Sequence, residues 1–263
     1  MNQQTKELPW ILFNLQNEIY GISCQSVDSI VILSQVTAVA DTPNYIRGVI
    51  NLRGKIVTCI DLRILLGLKS LNDEIIEFQE MLEQRKIEHI NWLEELKNSV
   101  DQRRPFELTT DPHACAFGKW YDNFKTDNVI LGGLVKRFDE PHKKIHGIAI
   151  EIKKLEAREE FAGAKRTIEQ VESGELKSLI DLFAKTKAAY RESLREIVII
   201  VKIAQTLYGF ITDNVISVEH IIDDGTANIN NHFLKKELSF RIAMRKKEKS
   251  SVILLNEDNL LNL

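Results

Sequence analysis

Apolar positions in this chain change their spacing twice. From Trp10 to Val57 they fall in short blocks separated by turn-forming residues. Trp10-Ile11-Leu12-Phe13-Asn14-Leu15 and Ile19-Tyr20-Gly21-Ile22-Ser23-Cys24 flank Gln16-Asn17-Glu18, which predicts strand, turn and strand. Asn44 to Val57 predicts a hairpin turning at Arg53-Gly54, where glycine supplies a positive φ. Asp61 to Leu66 predicts a short helix with Asp61 as its cap. Beyond Asn72 the spacing turns helical, with Ile75, Ile76, Phe78, Met81, Leu82, Ile90, Leu93, Leu96 and Val100 on one stripe. Such a helix is about 40 Å long at 1.5 Å per residue. Thr110-Asp111-Pro112 and Asp139-Glu140-Pro141 each predict a helix start with proline in the first turn. The first of these helices carries His113, Cys115, Gly118 and Trp120, and the second His142 and His146. Ile152 to Leu194 predicts charged helix with a break at Ser173-Gly174. Strand-like blocks return at Glu196–Val201, a turn at Gln205-Thr206, and Leu207–Ile211. A last hairpin, Phe240 to Leu255, turns at Lys246-Lys247-Glu248-Lys249 and lacks glycine.

The two β-rich ends are copies of one unit. Ile19-Tyr20-Gly21 returns as Leu207-Tyr208-Gly209, and Val27-Asp28-Ser29-Ile30 as Val215-Ile216-Ser217-Val218, both at an offset of 188 (207 − 19 and 215 − 27). Val57-Thr58-Cys59-Ile60, running into Leu65-Leu66, returns as Val252-Ile253-Leu254-Leu255, running into Leu260-Leu261. Between the copies lies the helical stretch, which holds four of the six histidines. Short strands with turns suggest small barrels, and helices with apolar stripes suggest a bundle. The expected class is α+β and multidomain: a first β-subdomain over 1–68, an inserted helical bundle over 69–194, and a second β-subdomain over 195–263.

Composition narrows the function. With 263 residues and 44% hydrophobic content there is room for two cores. A net charge of −3 offers no basic footprint for nucleic acid. Cys24, Cys59 and Cys115 lie far apart and do not form a disulfide framework, which favours a reduced, cytoplasmic setting. The first residues carry too short an apolar run for a signal peptide or membrane span, so no direct membrane insertion is expected. Cys24 and Cys59 fall in apolar strands and read as buried small hydrophobes.

The chemistry concentrates in the helices. His142 and His146 stand at i and i+4 and project from one face. Joined by His89 and Cys115, they would make four nitrogen and sulfur donors, a set that suits tetrahedral zinc. A site filled by four protein ligands has no open position for a substrate water, which argues against hydrolysis. Glu140 precedes the histidine pair and does not lie within it, and Gly132-Gly133 stands alone without a phosphate-cradling loop. A zinc hydrolase with one labile ligand is therefore the weaker alternative, and a purely structural zinc the blander one. His113 reads as a surface or capping residue, Trp92 and Trp120 as core that can wall the site, and His220 and His232 receive no role.

Two resemblances sharpen this picture. Tyr45-Ile46-Arg47-Gly48-Val49-Ile50-Asn51-Leu52-Arg53-Gly54, followed by Val57 through Asp61-Leu62-Arg63, resembles the signature of CheW-like domains. These are bacterial chemotaxis couplers built from two small SH3-like β-barrels. The likeness covers roughly residues 8–68 and 195–263, and Ala243-Met244-Arg245-Lys246-Lys247 departs from the glycine-bearing hairpin in the second copy. His89-Ile90-Asn91-Trp92, Cys115-Ala116-Phe117-Gly118-Lys119-Trp120 and Pro141-His142-Lys143-Lys144-Ile145-His146 resemble the chemoreceptor zinc-binding (CZB) domain, over roughly residues 75–190. The resemblance implies one zinc ion per chain, held by His89, Cys115, His142 and His146. It also implies zinc sensing or thiol-oxidant sensing, with Cys115 redox-sensitive. The implied partners are the histidine kinase CheA and the cytoplasmic tip of chemoreceptors, joined by a non-enzymatic adaptor. Arg53, charged and at a hairpin tip, is the candidate partner contact. The apolar faces of the bundle are either internal or a homodimer contact. The insert leaves the first barrel near Leu68 and re-enters the second near Glu196, so a change in the bundle would be felt at both junctions.

Overall fold

A computed structural model of the chain describes residues 7–126, 128–222, 228–231, 238–245, 248–256 and 260. His232, Leu261, and Lys246 and Lys247 of the expected hairpin turn lie outside the described residues. The chain forms two compact units, Met1–Leu71 with Leu194–Leu263, and Asn72–Ser193.

In the β-unit, β1 (Glu7–Leu15), β2 (Glu18–Ser23), β3 (Val27–Ile32), β4 (Ile46–Leu52), β5 (Lys55–Asp61) and the short helix α1 (Leu62–Leu65) precede the helical segment. After it come β6 (Ile197–Ile203), β7 (Thr206–Thr212), β8 (Asn214–Ile222), β9 (Asn228–Asn231), β10 (Leu238–Met244) and β11 (Ser251–Leu254). They pair into a six-stranded sheet of order β8-β1-β2-β11-β10-β9 and a five-stranded sheet of order β3-β6-β7-β5-β4.

This pairing differs from one β-subdomain on each side of the insert. The first hairpin of each copy is built into the sheet of the other: β1-β2 lies between β8 and β11, and the equivalent β6-β7 lies between β3 and β5. The exchange is symmetric. Leu254 stands beside Gly21 in the parallel β2–β11 pair, and Cys59 beside Gly209 in the parallel β5–β7 pair. Burial supplies the physical reason. Val198, Ile199, Ile200 and Val201 of β6 are all buried, so that strand needs cover on both faces and pairing on both edges. Glycine permits the close approach: a Cβ on Gly209 would lie 2.7 Å from Val198 Cγ1 and 3.3 Å from Cys59 Sγ. Past β3, Thr37 bridges to Val49 of β4, which curls the five-stranded sheet back on itself. Arg245, buried at the end of β10, pairs with Glu219 of β8 and draws those strands of the other sheet together. One core, including Phe13, Ile22, Leu62, Ile199, Phe210 and Leu255, takes side chains from both copies.

The exchange also explains why a large insert is tolerated. The chain departs after β5 and returns into β6, and both strands flank β7. Asp61 pairs with Ile211 while Ile197 pairs with Thr212, so the two ends lie at the same end of the sheet. Two strand spacings separate them, about 10 Å. Arg47 of β4 spans that gap, donating to Asp61 at 2.8 Å and to Glu196 at 3.2 Å. Arg63 of α1 is buried and makes paired bonds to Asp213, which accepts from the backbone of Gln16 as well. Asp61 caps α1 by accepting from the Ile64 N–H, as its position in the sequence predicts.

The helical unit consists of α2 (Leu71–Gln102), α3 (Ala116–Asn123), α4 (Val129–Lys136), α5 (Asp139–Glu156), α6 (Phe161–Val171), a π-helical turn (Glu172–Leu176) and α7 (Lys177–Ser193). Its core joins Leu82, Leu93, Leu96 and Val100 of α2 to Ile145, Ile148 and Ile152 of α5 and Leu179, Leu182 and Phe183 of α7. Two local expectations are corrected. The helix expected from Thr110-Asp111-Pro112 begins only at Ala116, because the Cys115 side chain takes the capping position. Ser173-Gly174 does not break the chain into two helices; the turn continues with π geometry, and Ser173 bonds back to Glu169 and Gln170.

Gly209→Ala is expected to destabilise the protein by about 1–3 kcal/mol through overpacking against a stiff valine. Gly21→Ala should cost less, since its Cβ meets the flexible end of Leu254. Urea unfolding midpoints of the two variants check the order.

Candidate metal centre

The helical periodicity puts polar residues where apolar ones belong. His89 falls on the buried stripe of α2 with Leu82, Leu93, Leu96 and Val100, and His142 and His146 fall on that of α5 with Ile145, Ala149 and Ile152. The three imidazoles are 3%, 3% and 1% exposed. Cys115 comes to them from the turn before α3 and is only half-buried. One ligand atom from each of His89, Cys115, His142 and His146 lies within 4.8 Å of the others, a group that could hold a metal ion. Cys115 Sγ stands 3.3 Å from His142 Nε2.

Hydrogen bonds outside the cluster orient the rings. His89 Nδ1 lies 2.6 Å from the Arg85 carbonyl, and His146 Nδ1 3.3 Å from the Thr109 carbonyl. A carbonyl only accepts, so each Nδ1 carries the proton and each Nε2 keeps its lone pair. Those two Nε2 atoms are buried and have no hydrogen-bond partner among the described residues. A buried acceptor without a donor costs about 1–3 kcal/mol. A cation between the rings would satisfy both lone pairs, so the donor set fits a metal. Phe117 closes the cluster edge-on to His89 and His142, with ring centroids 5.6 and 4.9 Å away. Trp92 covers His146 at 4.8 Å and donates its N–H to the same Thr109 carbonyl. Trp120 is set back, its rings packed on Phe78, Phe117 and Phe124.

Burial sets the protonation states. It lowers His142 to about 3 and His146 to about 4, helped by the charges the neighbouring imidazoles would carry, and it lowers His89 too. All three therefore stand neutral near pH 7, the state in which imidazole ligates. Burial also raises the Cys115 thiol, opposed by backbone N–H groups of Gly118 and Phe117 at the start of α3. Gly118 donates to Cys115 Sγ at 3.1 Å. A bound cation would act on the sulfur in the same direction as these donors.

Gly118 is the residue whose role sequence reasoning missed. A Cβ there would sit 1.9 Å from the Pro112 carbonyl oxygen, so only glycine allows the turn that aims Cys115. Its place three residues after a cysteine was the available signal, since a cap bonds to the third helical N–H. His113 does not join the cluster. It is exposed and pairs with Asp122 at 3.0 Å. Arg53 sits at the β4–β5 turn with φ of 52°, exposed and far in sequence from the cluster. Cys59 is buried, which pushes its thiol up to about 11, while Cys24 is half-buried.

Comparison with known proteins finds two family matches in this chain. The model of the CheW-like domain matches residues 9–86, and that of the chemoreceptor zinc-binding domain matches residues 89–153. The chain is 51% identical over 55 residues to chemotaxis protein CheW of Klebsiella aerogenes, covering 21% of this chain and 33% of that protein. It is 41% identical over 63 residues to chemotaxis protein CheW of Helicobacter pylori, covering 24% and 38%. The chain thus spans about a third of the length of the curated relatives it matches. Among solved structures it is similar to the scaffolding protein TtCheW from Thermoanaerobacter tengcongensis, with a TM-score of 0.44 and 16% identity over 98% of this chain and 94% of that one. The chain therefore carries a CheW-like domain followed by a chemoreceptor zinc-binding (CZB) domain, and all four residues of the cluster lie within the second match.

Two outcomes test the geometry. Gly118→Ala should weaken zinc binding roughly 10–100-fold, the range for groups that orient a ligand, measured by competition with a chelating dye. The metal-free protein should lose stability as pH falls from about 6.5, the ordinary histidine value, toward the lowered values near 4 and 3. In that window the unfolded chain binds protons that the folded imidazoles refuse, so stability rises with pH. Thermal midpoints that stay flat between pH 4 and 7 would contradict the burial argument.

Proposed function

We propose that this chain is a cytoplasmic, non-enzymatic chemotaxis adaptor that couples chemoreceptors to the histidine kinase CheA. In this reading coupling responds to the state of a zinc site made by His89, Cys115, His142 and His146, with one ion per chain. The observation that carries the reading is the pair of buried, unpartnered Nε2 atoms facing a half-buried thiol. Bound zinc would supply positive charge that holds the thiolate and ties α2, α5 and the turn before α3 together. Four protein donors fill a tetrahedron, which leaves no position for a substrate water and favours an adaptor over a hydrolase. No described helix is long and apolar enough to cross a membrane.

Cys115 is the donor open to oxidants. It is the least buried of the four; burial raises its thiol, so the thiolate that an oxidant attacks would depend on the bound cation, with the helix-start N–H groups acting in the same direction. Attack by the thiolate on hydrogen peroxide forms a sulfur–oxygen bond, breaks the oxygen–oxygen bond and expels hydroxide. Sulfur loses two electrons and becomes a sulfenic acid, a poorer metal ligand. The scaffold would feel the change at the two places where the chain passes between units, beside Asp61 and Glu196. Arg53 is proposed as a partner contact because it stands exposed at a hairpin tip. A homodimer through the bundle is supported by α4, where Val129 is 87% and Ile130 73% exposed.

The histidines' burial favours a second reading, a permanently held structural zinc. The two readings part experimentally. Purified protein should contain about one zinc per chain and lose it in His142→Ala. Peroxide should release zinc from the native chain but not change the residual zinc of Cys115→Ser. Affinity for CheA, measured by calorimetry, should differ between zinc-loaded, zinc-free and oxidised protein. Equal affinity in all three states would leave the structural reading standing.

A further inference from the structure

The helical unit contains a second site. A cavity of about 660 Å³ opens between the end of α2, the segment that follows it, α5 and the start of α6. That volume lies within the roughly 300–1,000 Å³ typical of small-molecule sites. Its floor is apolar, with Leu96 and Ile152 each 1% exposed, and Phe106 and Phe161 stand at its sides. None of the four clustered metal donors lines it.

The charge at the rim selects the occupant. Arg103, Arg104 and Lys153 line the cavity, against one carboxylate, Glu156. Arg104 is already committed to Glu95 at 2.6 Å. Arg103 and Lys153 have no carboxylate partner among the described residues. Arg103 adopts a φ of 53°, which turns the chain at the end of α2, and its guanidinium lies 4.6 Å from the Phe161 ring centroid. A guanidinium stacked on a ring keeps its in-plane donors for an anion. Apolar floor and cationic rim together require a ligand with an apolar body and one negative head. A cationic ligand would face the two uncommitted charges of Arg103 and Lys153, and a neutral one would gain no charge-assisted bond from them.

We propose that this cavity binds a small organic carboxylate, with its apolar body on Leu96, Phe106 and Ile152 and its carboxylate between Arg103 and Lys153. The proposal requires no metal, but the cavity shares a wall with the cluster. Phe106 stacks edge-on against Trp92 at 4.9 Å, and Trp92 covers His146. A ligand on Phe106 would therefore be reported by Trp92.

Calorimetry on the full zinc-loaded chain tests it, with hexanoate and benzoate as probes and hexanol and hexylamine as controls of similar size. Saturable binding of at least one carboxylate is expected, with a shift in tryptophan emission, and both controls should bind at least about tenfold more weakly, the loss of one charge-assisted pair. Lys153→Glu and Arg103→Glu, both at exposed positions, should each reduce carboxylate affinity by about the same factor while zinc content stays unchanged. That unchanged zinc separates failure here from failure of the metal centre. Hexanol binding as tightly as hexanoate, affinity that survives both charge reversals, or no carboxylate binding at all would each overturn the proposal.

Discussion

Neither β-copy can complete a sheet from its own strands. The hairpin β1-β2 needs β8 and β11, and β6-β7 needs β3 and β5. The contacts between the two copies follow from that exchange. The parallel pairs it creates bring Gly21 against Leu254 and Gly209 against Cys59. The shared core then buries Phe13 and Phe210 together, residues 197 positions apart (210 − 13) in a chain of 263. Closing such long-range contacts is slow and entropically costly, because loop closure precedes its reward. The cost grows only slowly with loop length, so an inserted bundle that folds locally adds little to it. What the exchange demands of the insert is that its ends meet near neighbouring strands, and Arg47 marks that requirement by bonding to both Asp61 and Glu196.

Within the bundle the corresponding constraint is polar burial. Three imidazoles occupy positions that an ordinary bundle fills with leucine, and burial alone would favour replacing them. Their second nitrogens are nevertheless directed: Arg85 and Thr109 offer carbonyls that fix His89 and His146 as Nε2 donors. Those carbonyls belong to different parts of the chain, one a turn before His89 on α2 and the other on the loop before α3. The loop thus orients one imidazole of the cluster through Thr109 and supplies the thiol of Cys115, and Gly118 lets its last turn close. Ring walls from Phe117 and Trp92 keep the donors in a low-dielectric setting, where charge on a bound ion counts for more.

How much of this was legible depends on whether a feature is local. His89 keeps step with Leu82, Leu93, Leu96 and Val100, so its burial can be read from spacing. His142 and His146 keep step with Ile145 and Ile152 in the same way. The repeat was readable as matched blocks, yet alternation along a strand does not specify its partner, and the exchange of hairpins was invisible. Proline after Thr110-Asp111 is a strong start signal, but it opens a turn, because Cys115 holds the Gly118 N–H and delays the helix. The α4 helix escaped notice because Gly132-Gly133 lowers helix propensity, although Asn128 caps it by accepting from the Leu131 N–H. Ser173-Gly174 carries break chemistry that the surrounding apolar stripe overrides, leaving a π turn with Leu176 buried in the core.

The remaining question is how a change at four side chains could reach the scaffold. His89 lies on α2, which runs unbroken from Leu71, and the distance from the first turn to His89 is about 27 Å at 1.5 Å per residue. On the other side of the insert, Glu196 precedes β6 directly, and burial raises its carboxyl despite the Arg47 guanidinium beside it. Asp61 and Glu196 accept from the same NH1 group of Arg47. That one cation holds both carboxylates at once. It lies in the β-unit, next to both crossing points of the chain, where the proposed signal would have to arrive.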